Sequence, residues 1–457
     1  MKNMTLARIA EACGGEFFAE TGEENRIVEA VEIDSRRIEK GGLFIATVGK
    51  RVDGHSFIGN VFEKGAAAVI SEKKLEDPAG PYILVKSSFE ALEKIAEYYR
   101  KQLDLKVVGI TGSVGKTSTK EVVAAVLSQK YKCLKTEGNL NNNVGLPLMV
   151  LRLKDDDELA VLEMGISHFG EMTRLAASAR PDIAVITNIG TSHMENLGSR
   201  EGIFGEKSHI IDYLGENGIA LVNADDDILG KIDEMNGHKV LKFGRSANAD
   251  VRIAEEKSLG LYGSEFTLTG RVPSGKLTAG TKLVGSHMVL NAACAALIAG
   301  ELGLSSEEIA AGIASVKSMA GRSNIIKTDK YTIIDDCYNA NPDSMKAAIK
   351  MTALAEGRRI LILGDMFELG KEEKSLHREV GAFIKNIGCD ELITIGNLAK
   401  EISGAARENG VENVYCFEEK PEFYEAEEKL LKEGDTILVK ASHGPNFEDV
   451  VSAVEAL

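Results

Sequence analysis

The stretch KVVGITGSVGKTSTKEVVAAVLSQ, residues 106 to 129, joins a short apolar strand, a glycine turn and the start of a helix. Val108 and Ile110 belong to a nearly uninterrupted β-branched run, which is typical of a parallel strand buried on both faces. Gly112 and Gly115 follow this run. Because glycine has no Cβ, the backbone there can bring its N–H groups close to an anion. The succession predicts a phosphate-binding loop.

The residues after the glycines favour ATP as the bound phosphate compound. Lys116 supplies a cation, and the helix opened by Thr117 and Ser118 offers the free N–H groups and positive dipole of its first turn. The Thr117 hydroxyl is placed to ligate Mg²⁺. The spacing is TGxxGKTS rather than the common GxxxxGK[ST], so an ordinary strand-to-helix turn is the alternative. The predicted ATP loop comprises Gly112, Ser113, Val114, Gly115, Lys116, Thr117 and Ser118.

Length and composition limit the fold and the partners. A chain of 457 residues is too long for one hydrophobic core, and at roughly 100 to 200 residues per domain it predicts three domains. The net charge of −16 disfavours a nucleic acid or an anionic membrane as partner. The six cysteines are scattered without a metal-binding spacing, and no signal peptide or run of about 18 apolar residues stands out. We therefore expect a cytoplasmic protein.

The chain divides into three units of the α/β class. Residues 1 to 103 form a small first unit, and residues 104 to 317 carry the phosphate loop on a central parallel sheet, with a β-rich excursion from 239 to 283. Residues 318 to 457 alternate strands and helices regularly. This alternation predicts a doubly wound, Rossmann-like third domain with right-handed crossovers.

Polar side chains follow two further strands of the second unit. Glu163 lies at the end of the run LAVLEM, and His193 comes shortly after the run IAVITN. Because ligands of open parallel sheets bind beyond the carboxyl ends of the strands, both side chains should lie beside the phosphate loop. A carboxylate and an imidazole there could complete a Mg²⁺ shell or orient a nucleophile. A structural histidine is the alternative for His193.

Other polar stretches are less specific. The asparagine-rich segment from 136 to 147 faces either water or a polar ligand. Two clusters of the first unit, at 34 to 36 and 53 to 55, suit turns capped by an aspartate or serine. In the third unit, polar residues at strand ends form a second row, which predicts a cleft between the second and third units. The stretches in this row are DDCYNANP from 335, DMFELG from 365 and SHG from 442.

Ten motifs in one order run along nearly the whole chain, and together they resemble the Mur ligases. They are DSR at 34, DGHSF at 53, TGSVGKTS at 111, GNLNNNVGLP at 138, LEMG at 162, TNIGTSHMENLGS at 187, GSHMVLNAA at 285, GR at 321, DDCYNANPDSM at 335 and GDMFELG at 364. The last two resemble the branch that adds D-alanyl-D-alanine to UDP-N-acetylmuramoyl-tripeptide for peptidoglycan synthesis. The third-residue-adding ligase usually has an aspartate-tyrosine-alanine-histidine sequence in place of DDCYNANP. The DNPR signature of its diaminopimelate-adding version is also absent.

This resemblance implies an ATP-dependent amide ligase that works through an acyl phosphate. It implies that Lys116, His193 and Lys207 are catalytic, and that Thr117, Glu163, His193 and Lys207 hold Mg²⁺. It places Asn291, Arg322 and Asp336 against the adenine, phosphates and ribose of ATP. The implied residues for the UDP-tripeptide and the dipeptide are Ser35, Arg36, His55, Asn139, Asn141, Asn142, Asn339, Asn341, Ser442 and His443.

One departure from the family concerns Lys207. The family often shows lysine, one residue and glutamate around a carbamylated lysine, whereas this chain has GEKSHI with His209 in the glutamate's place. An unmodified ammonium close to Mg²⁺ would repel the ion, so the resemblance implies a carbamate on Lys207. A solvated helix lysine is the alternative.

Two other classes of function stay open at this stage. The chain could be another ligase of the superfamily, either the third-residue-adding enzyme or a folylpolyglutamate synthase. It could also be a regulatory module that binds ATP without ligation. The expected partners are UDP-N-acetylmuramoyl-tripeptide, ending in lysine or diaminopimelate, and D-alanyl-D-alanine, and the chain is expected to act as a monomer without nucleic acid or membrane.

Overall fold

The computed structural model describes residues 1 to 457, and its backbone forms three β-sheets, one in each part of the chain. Helices pack on the sheets, and buried apolar side chains fill the layers between them. The predicted three-domain α/β architecture is confirmed. No helix combines the length and the apolar character that crossing a bilayer requires. All six cysteines are free.

The N-terminal sheet is small and mostly parallel, in the order β1-β5-β4-β3-β2, with β1 antiparallel to β5. Its strands are Glu16–Phe18 (β1), Val31–Glu32 (β2), Leu43–Ile45 (β3), Ala68–Ser71 (β4) and Tyr82–Leu84 (β5). Its helices are Leu6–Cys13 (α1), Ile58–Glu63 (α2) and Ser88–Arg100 (α3). The residues before α2 form a short 3₁₀ turn, Gly54–Phe57, so the predicted helix from 57 begins one residue later.

The central sheet has ten strands. They are Lys106–Thr111 (β6), Cys133–Lys135 (β7), Leu159–Glu163 (β8), Ile183–Ile186 (β9), Ile219–Asn223 (β10), Glu234–Met235 (β11), His238–Gly244 (β12), Val251–Ser258 (β13), Ser264–Gly270 (β14) and Lys276–Thr281 (β15). The main order is β15-β14-β13-β12-β10-β9-β6-β8-β7. The strands from β7 to β13 are parallel in this order, and β14 and β15 extend the sheet in antiparallel fashion.

Seven helices belong to the central part of the chain. They are Lys116–Leu127 (α4), Gly145–Leu151 (α5), Glu171–Ala179 (α6), Met194–Leu197 (α7), Arg200–Ser208 (α8), Ser286–Glu301 (α9) and Ser306–Ser315 (α10). After α8 the chain tightens into a 3₁₀ turn, His209–Ile211, and the backbone then leaves the helix.

The position of β6 decides where the phosphate loop lies. This strand is paired in parallel with β8 on one side and β9 on the other, so all three end at the same edge of the sheet. Glu163 is the direct neighbour of Ile110 across the β6 to β8 pair. The segments that follow these strands therefore surround one point at the carboxyl edge, which is where the sequence predicts the ligand.

The C-terminal sheet is parallel except at one edge, in the order β16-β17-β21-β18-β19-β20. Its strands are Asn324–Lys327 (β16), Thr332–Asp335 (β17), Arg359–Gly364 (β18), Glu391–Ile395 (β19), Val414–Phe417 (β20) and Thr436–Lys440 (β21). Its helices are Pro342–Thr352 (α11), Glu373–Ile387 (α12), Ala399–Glu408 (α13), Lys420–Tyr424 (α14), Glu427–Leu430 (α15) and Glu448–Ala456 (α16). The antiparallel strand β16 was not predicted.

Candidate active site

The phosphate loop between β6 and α4 is shaped by its glycines and by the neighbouring strand end. Gly112 has φ of 148°, and a Cβ at this position would lie 1.9 Å from Thr187 Oγ1. The Val114 N–H donates to Asn188 Oδ1 at 2.9 Å, and Thr187 Oγ1 donates to the Val114 carbonyl at 2.8 Å. Gly115, with φ of 83°, leads into the first turn of α4. The loop backbone is thus held in place before any ligand arrives.

Lys116 and Thr117 open the 12-residue helix α4. The Lys116 ammonium donates to the Gly112 carbonyl at 2.9 Å, so the lysine folds back over the loop. Burial lowers the pKa of Lys116, while the nearby Glu163 carboxylate acts to raise it. Thr117 is buried in the first helical turn. A cation and the positive end of a helix therefore meet at one point, which suits a polyphosphate.

Glu163, at the end of β8, has one paired and one unpaired carboxylate oxygen. Its Oε1 accepts a hydrogen bond from Asn141 Nδ2 at 2.8 Å, whereas the buried Oε2 has no partner. No cluster of three or more histidine, cysteine, aspartate or glutamate side chains is present. A buried carboxylate oxygen in the cavity of the phosphate loop is therefore available to a ligand.

His193 lies where the central domain meets the C-terminal domain. The residue precedes α7 with a left-handed backbone, φ of 61°, and its ring is about four-fifths buried. Its Nδ1 lies 3.0 Å from Glu368 Oε2, although the two atoms are not aligned as a hydrogen bond. A second contact between these domains is close by, because Asn341 Nδ2 donates to Ser192 Oγ at 2.7 Å.

The opposite wall of the site comes from α9 and from the start of the C-terminal domain. Asn291 on α9 is buried, and its Oδ1 accepts a hydrogen bond from Thr119 Oγ1 at 3.0 Å. The Arg322 guanidinium lies 4.0 Å from the centre of the Tyr338 ring. These side chains add an amide and a stacked guanidinium to the lining of the cavity that also contains the phosphate loop.

Asp336 is held by a network rather than left free. Its Oδ2 accepts from the buried Lys440 ammonium at 2.5 Å, and its Oδ1 accepts from the Ser323 N–H at 2.8 Å. Burial lowers the pKa of the neighbouring His287 imidazole, so the ring is neutral at physiological pH. The carboxylate of Asp336 is thereby fixed in position at the rim of the site.

One cavity of about 840 Å³ collects most of these residues, and its walls come from both the central and the C-terminal domains. This confirms the two-domain cleft that the strand-end residues predict. From the predicted set, the cavity is lined by Ser113, Val114, Gly115, Lys116, Thr117, Ser118, Asn139, Asn141, Asn142, Glu163, His193, Asn291, Arg322, Asp336, Asn339 and Asn341.

A smaller cavity of about 230 Å³ lies next to it and shares Lys116, His193 and Asn341 with it. We call it the acceptor cavity. Ser442 and His443 line it from the C-terminal domain. Ser442 is buried, and its Oγ accepts a hydrogen bond from the Phe367 N–H at 2.9 Å, whereas His443 is exposed. The full lining is Ser113, Lys116, Ser192, His193, Asn339, Ala340, Asn341, Phe367, Glu368, Leu369, Ser442, His443 and Gly444.

Lys207 lies on α8, outside both cavity linings, and its side chain is 1 % exposed. The ammonium nitrogen has no hydrogen-bond partner, and burial, followed by the charge of Lys116, lowers the pKa of Lys207 well below its ordinary value. The neighbouring Glu206 is used elsewhere, since it accepts from the N–H groups of Gly170 and Met172. The alternative of a solvated lysine is therefore wrong.

His209 does not support Lys207. Its imidazole is half exposed and lies 2.7 Å from Asp212 Oδ2, on the solvent side of the turn that follows α8. The side chain that replaces the family's glutamate thus makes a local contact only, and no carboxylate takes its place at the Lys207 nitrogen.

Three predicted substrate residues of the N-terminal domain lie outside both cavities. Arg36 is exposed and pairs with Asp34, which lowers the pKa of that carboxyl to about 2. The Ser35 carbonyl accepts from Lys64 at 2.8 Å. His55 has no free ring nitrogen, because Nδ1 lies 2.6 Å from Asp53 Oδ1 and Nε2 accepts from the Glu72 N–H at 3.0 Å. Its predicted role in substrate binding has no support in this geometry.

Several residues of the site were not predicted individually. Thr187 and Asn188 shape the phosphate loop, Tyr338 stacks on Arg322, and Lys440 holds Asp336. Glu368 lines the acceptor cavity. The signal available for most of them was their position at or just after the carboxyl end of a buried strand, which is where ligands of such sheets bind.

Known proteins resemble the chain along its whole length. Residues 27–108 match the Mur ligase family catalytic domain, 110–299 the Mur ligase middle domain, and 321–443 the Mur ligase glutamate ligase domain. The UDP-N-acetylmuramoyl-tripeptide--D-alanyl-D-alanine ligase of Bacillus subtilis is 39% identical over 99% of this chain and 98% of its own.

Solved structures agree with these sequence matches. MurF from Acinetobacter baumannii superposes with a TM-score of 0.91 at 30% identity, covering 99% of each chain. MurF from Thermotoga maritima, solved in complex with ADP, has a TM-score of 0.83 at 30% identity and covers 93% of this chain and 97% of its own. With its phosphate loop in a cavity between the central and C-terminal domains and this similarity over its full length, the chain belongs to the Mur ligase family.

Proposed function

We propose that this chain is an ATP-dependent ligase that adds D-alanyl-D-alanine to UDP-N-acetylmuramoyl-tripeptide in the synthesis of the peptidoglycan precursor. The observation that carries the proposal is the identity of 39% to a ligase of that name over nearly the whole chain, catalytic cleft included. A match to the family alone would not identify which amine substrate the ligase uses. Ligases for other acceptors, such as the diaminopimelate-adding enzyme, resemble this chain at only 18% identity, which reflects the shared fold.

ATP fits the larger cavity. The loop from Gly112 to Thr117 supplies backbone N–H groups, the Lys116 ammonium and the end of α4 for the phosphates. Asn291 and Arg322 line the same cavity, where they would meet the adenine and the phosphates, and Asp336 is held by Lys440 where it would approach the ribose. The ADP complex of the Thermotoga maritima MurF supports this reading.

Mg²⁺ fits the unpaired oxygen of Glu163 together with the Thr117 hydroxyl and His193. All three side chains line the same cavity as the phosphate loop. When bound there, the ion would neutralise charge on the phosphates. Asn141 orients the Glu163 carboxylate for this role, because it binds one oxygen and leaves the other free for the ion.

A carbamate on Lys207 fits its surroundings. A fully buried ammonium without a partner is costly, and the lowered pKa of Lys207 leaves a neutral amine that can react with CO₂. The product is an anion, which would be attracted to Lys116 rather than repelled by it. We propose that the modified side chain would help to hold a metal ion, which would neutralise charge on ATP and on the terminal carboxylate of the tripeptide.

Two steps then make the amide bond. An oxygen of the tripeptide's terminal carboxylate attacks the γ-phosphorus of ATP, the bond to the β-phosphate oxygen breaks, and ADP leaves. The neutral amine of D-alanyl-D-alanine next attacks the acyl carbon, phosphate leaves, and the nitrogen loses a proton. Lys116 stabilises the charge on the transferring phosphoryl group. The central and C-terminal domains, joined by the hydrogen bond from Asn341 to Ser192, would protect the acyl phosphate from water when they close around it.

The substrates would approach from different domains. Ser35 and Arg36 of the N-terminal domain are accessible at the protein surface for the UDP end. The asparagines at 139, 141 and 142 line the route of the muramoyl peptide into the cleft. The dipeptide would enter the acceptor cavity beside Asn339, Asn341, Ser442 and His443. We further propose that the enzyme works as a monomer in the cytoplasm.

Acceptor-dependent phosphate release tests this function. The purified chain is given ATP, Mg²⁺ and a UDP-muramoyl tripeptide ending in lysine or in diaminopimelate, and phosphate is measured with and without D-alanyl-D-alanine. We expect release only with the dipeptide and the preferred tripeptide. Phosphate release with UDP-muramoyl dipeptide and a single amino acid would identify the third-residue ligase instead. ATP binding without release under any of these conditions would favour the regulatory module.

A further inference from the structure

Glu368 is the one acidic residue that lines the acceptor cavity. It lies in the loop after β18, and its carboxylate is 61% exposed. The other charged or ionisable side chains of the lining are Lys116, His193 and His443. The Glu368 carboxylate lies 3.0 Å from His193 Nδ1 in the catalytic cleft.

The loop around Glu368 is held in an unfavourable backbone conformation. Glu368 has φ of 62°, in the left-handed region that non-glycine residues seldom adopt. The neighbouring N–H groups fix the loop, since Met366 donates to His377 Nε2 and Phe367 donates to Ser442 Oγ, both at 2.9 Å. Strain that is imposed by well-made neighbouring contacts is common at ligand sites. The conformation presents the Glu368 side chain to the cavity.

A carboxylate in this place needs a cationic partner. ATP, the tripeptide carboxylate and the acyl phosphate are all anions, and Glu368 would repel each of them. The dipeptide is the exception, because it carries an ammonium group at the end that must reach the acyl phosphate. The two cavities share six lining residues, Lys116 and His193 among them, and Glu368 lies 3.0 Å from His193, so a dipeptide nitrogen that passes His193 towards the ATP cavity comes close to Glu368.

The size of the cavity also suits a small zwitterion. Its volume of about 230 Å³ is below the roughly 300 to 1,000 Å³ of pockets for drug-sized ligands. Phe367 packs against Gly444, where an added Cβ would lie 2.9 Å from the ring, and so forms an apolar wall beside Glu368. A carboxylate next to an apolar surface matches an ammonium group followed by a methyl-bearing carbon.

We propose that the Glu368 carboxylate binds the α-ammonium group of the incoming dipeptide and positions its nitrogen beside the acyl phosphate. This inference rests on the proposed function and adds a specificity residue to it. Acceptors that lack a cationic amine would gain nothing from Glu368. The carboxylate thus acts in binding of the second substrate and has no part in forming the acyl phosphate.

The experiment separates these two half-reactions in the full-length enzyme carrying Glu368→Gln. The first measurement is the KM for D-alanyl-D-alanine. The second replaces the dipeptide by hydroxylamine, an amine without charge at neutral pH, and measures the hydroxamate formed from the acyl phosphate. Since a charge-assisted hydrogen bond is lost, we expect the dipeptide KM to rise by roughly 10- to 100-fold, with hydroxamate formation unchanged. Glu368→Asp should recover part of the loss.

Glu195→Gln is the matched control, because Glu195 packs against Gly370 of the same loop but lines neither cavity. It should leave the dipeptide KM as in the parent enzyme. An unchanged KM in Glu368→Gln would overturn the inference. So would a parallel loss of hydroxamate with a higher Mg²⁺ requirement, since that result would make Glu368 a support for His193. A parent enzyme that forms hydroxamate but ignores the dipeptide would refute the proposed acceptor and the inference with it.

Discussion

Two polar regions of this molecule differ in how their buried atoms are paired. At the carboxyl edge of the central sheet, Asn143 Oδ1, Glu163 Oε2, Thr191 Oγ1 and Lys207 Nζ are buried without a hydrogen-bond partner. In the N-terminal domain, by contrast, both ring nitrogens of His55 contact other groups of the protein. Unpaired buried groups cost free energy, and a ligand can supply the missing partner of those that line the larger cavity, such as Glu163 and Thr191.

Buried lysines show the same difference more sharply. Lys120 donates to the Thr136 carbonyl at 2.8 Å and pairs with Glu121, and Lys440 pairs with Asp336. Lys207 is equally buried and has neither a carbonyl nor a carboxylate. A paired lysine stabilises the fold, whereas an unpaired one destabilises it unless its charge is removed. The comparison predicts that the two regions respond to mutation in opposite ways.

The largest effect is expected from Lys116→Ala. The lysine acts on charge that develops during phosphoryl transfer, so its loss should slow dipeptide-dependent phosphate release by about 10³-fold or more. The melting temperature should stay close to that of the parent, because the ammonium contacts only the Gly112 carbonyl of its own loop. Lys106→Ala, on the exposed start of β6, is the control and should keep full activity. An active Lys116→Ala enzyme would contradict the ATP site.

Substitutions at Lys207 and at Lys120 should differ in their effects on both the reaction rate and the melting temperature. We expect Lys207→Ala to lose activity by about 10²-fold or more and to regain part of it with formate or acetate, which can occupy the space of a carbamate. Lys207→Met, which keeps the volume, should not lower the melting temperature, whereas Lys120→Met should lower it because it leaves the buried Thr136 carbonyl without its donor and removes one of the two lysines paired with Glu121. Full activity of Lys207→Ala without any additive would refute the carbamate.

A smaller effect is expected for the proposed metal ligands. Glu163→Gln or His193→Gln should raise the Mg²⁺ concentration for half-maximal rate by roughly tenfold, since each removes one of few protein ligands. The measurement is phosphate release against Mg²⁺ concentration. Glu158→Gln, just before the opposite end of β8, is the control and should leave the Mg²⁺ dependence unchanged. A fall in melting temperature with no change in Mg²⁺ dependence would assign His193 a structural role.

The sequence predicted the parts of the site that depend on local chain pattern. The strand β6, the glycine turn and the start of α4 follow one another within a few residues, and so do β8 and Glu163. Parallel pairing then requires these segments to share one edge of the sheet.

Features that arise from long-range packing could not be predicted in the same way. Lys207 lacks a partner because the side chains of Glu206 and His209 contact other groups, and the helical register alone does not specify those contacts. Glu368 was one member of a polar stretch, and its place in the acceptor cavity follows from a strained backbone pinned by His377 and Ser442. Short edge strands such as β16 carry little pattern of their own.

The smallest expected effect concerns His55 and Arg36, which family resemblance placed together at the UDP end of the substrate. His55→Phe removes both ring contacts and leaves Asp53 and the Glu72 N–H short of a partner, so it should lower stability by about 1–3 kcal/mol and the melting temperature by a few degrees. Its KM for the UDP-tripeptide should not change, because the ring has no nitrogen left for a ligand. Arg36→Ala should raise the KM for the UDP-tripeptide and leave the melting temperature unchanged. The Arg36 side chain is exposed, and an exposed ion pair contributes little to stability.

Thermal melting and KM measurements on both variants decide between the two roles. If His55→Phe raises the KM while its melting temperature stays unchanged, His55 binds substrate and the contrast between paired and unpaired regions does not hold for the N-terminal domain. If Arg36→Ala leaves the KM unchanged, the UDP end does not use this guanidinium. We expect a stability defect in His55→Phe and a binding defect in Arg36→Ala. This result would extend the contrast between paired and unpaired groups to two side chains of the same domain. An exposed group with spare donors is available to a ligand, whereas a fully paired group is not.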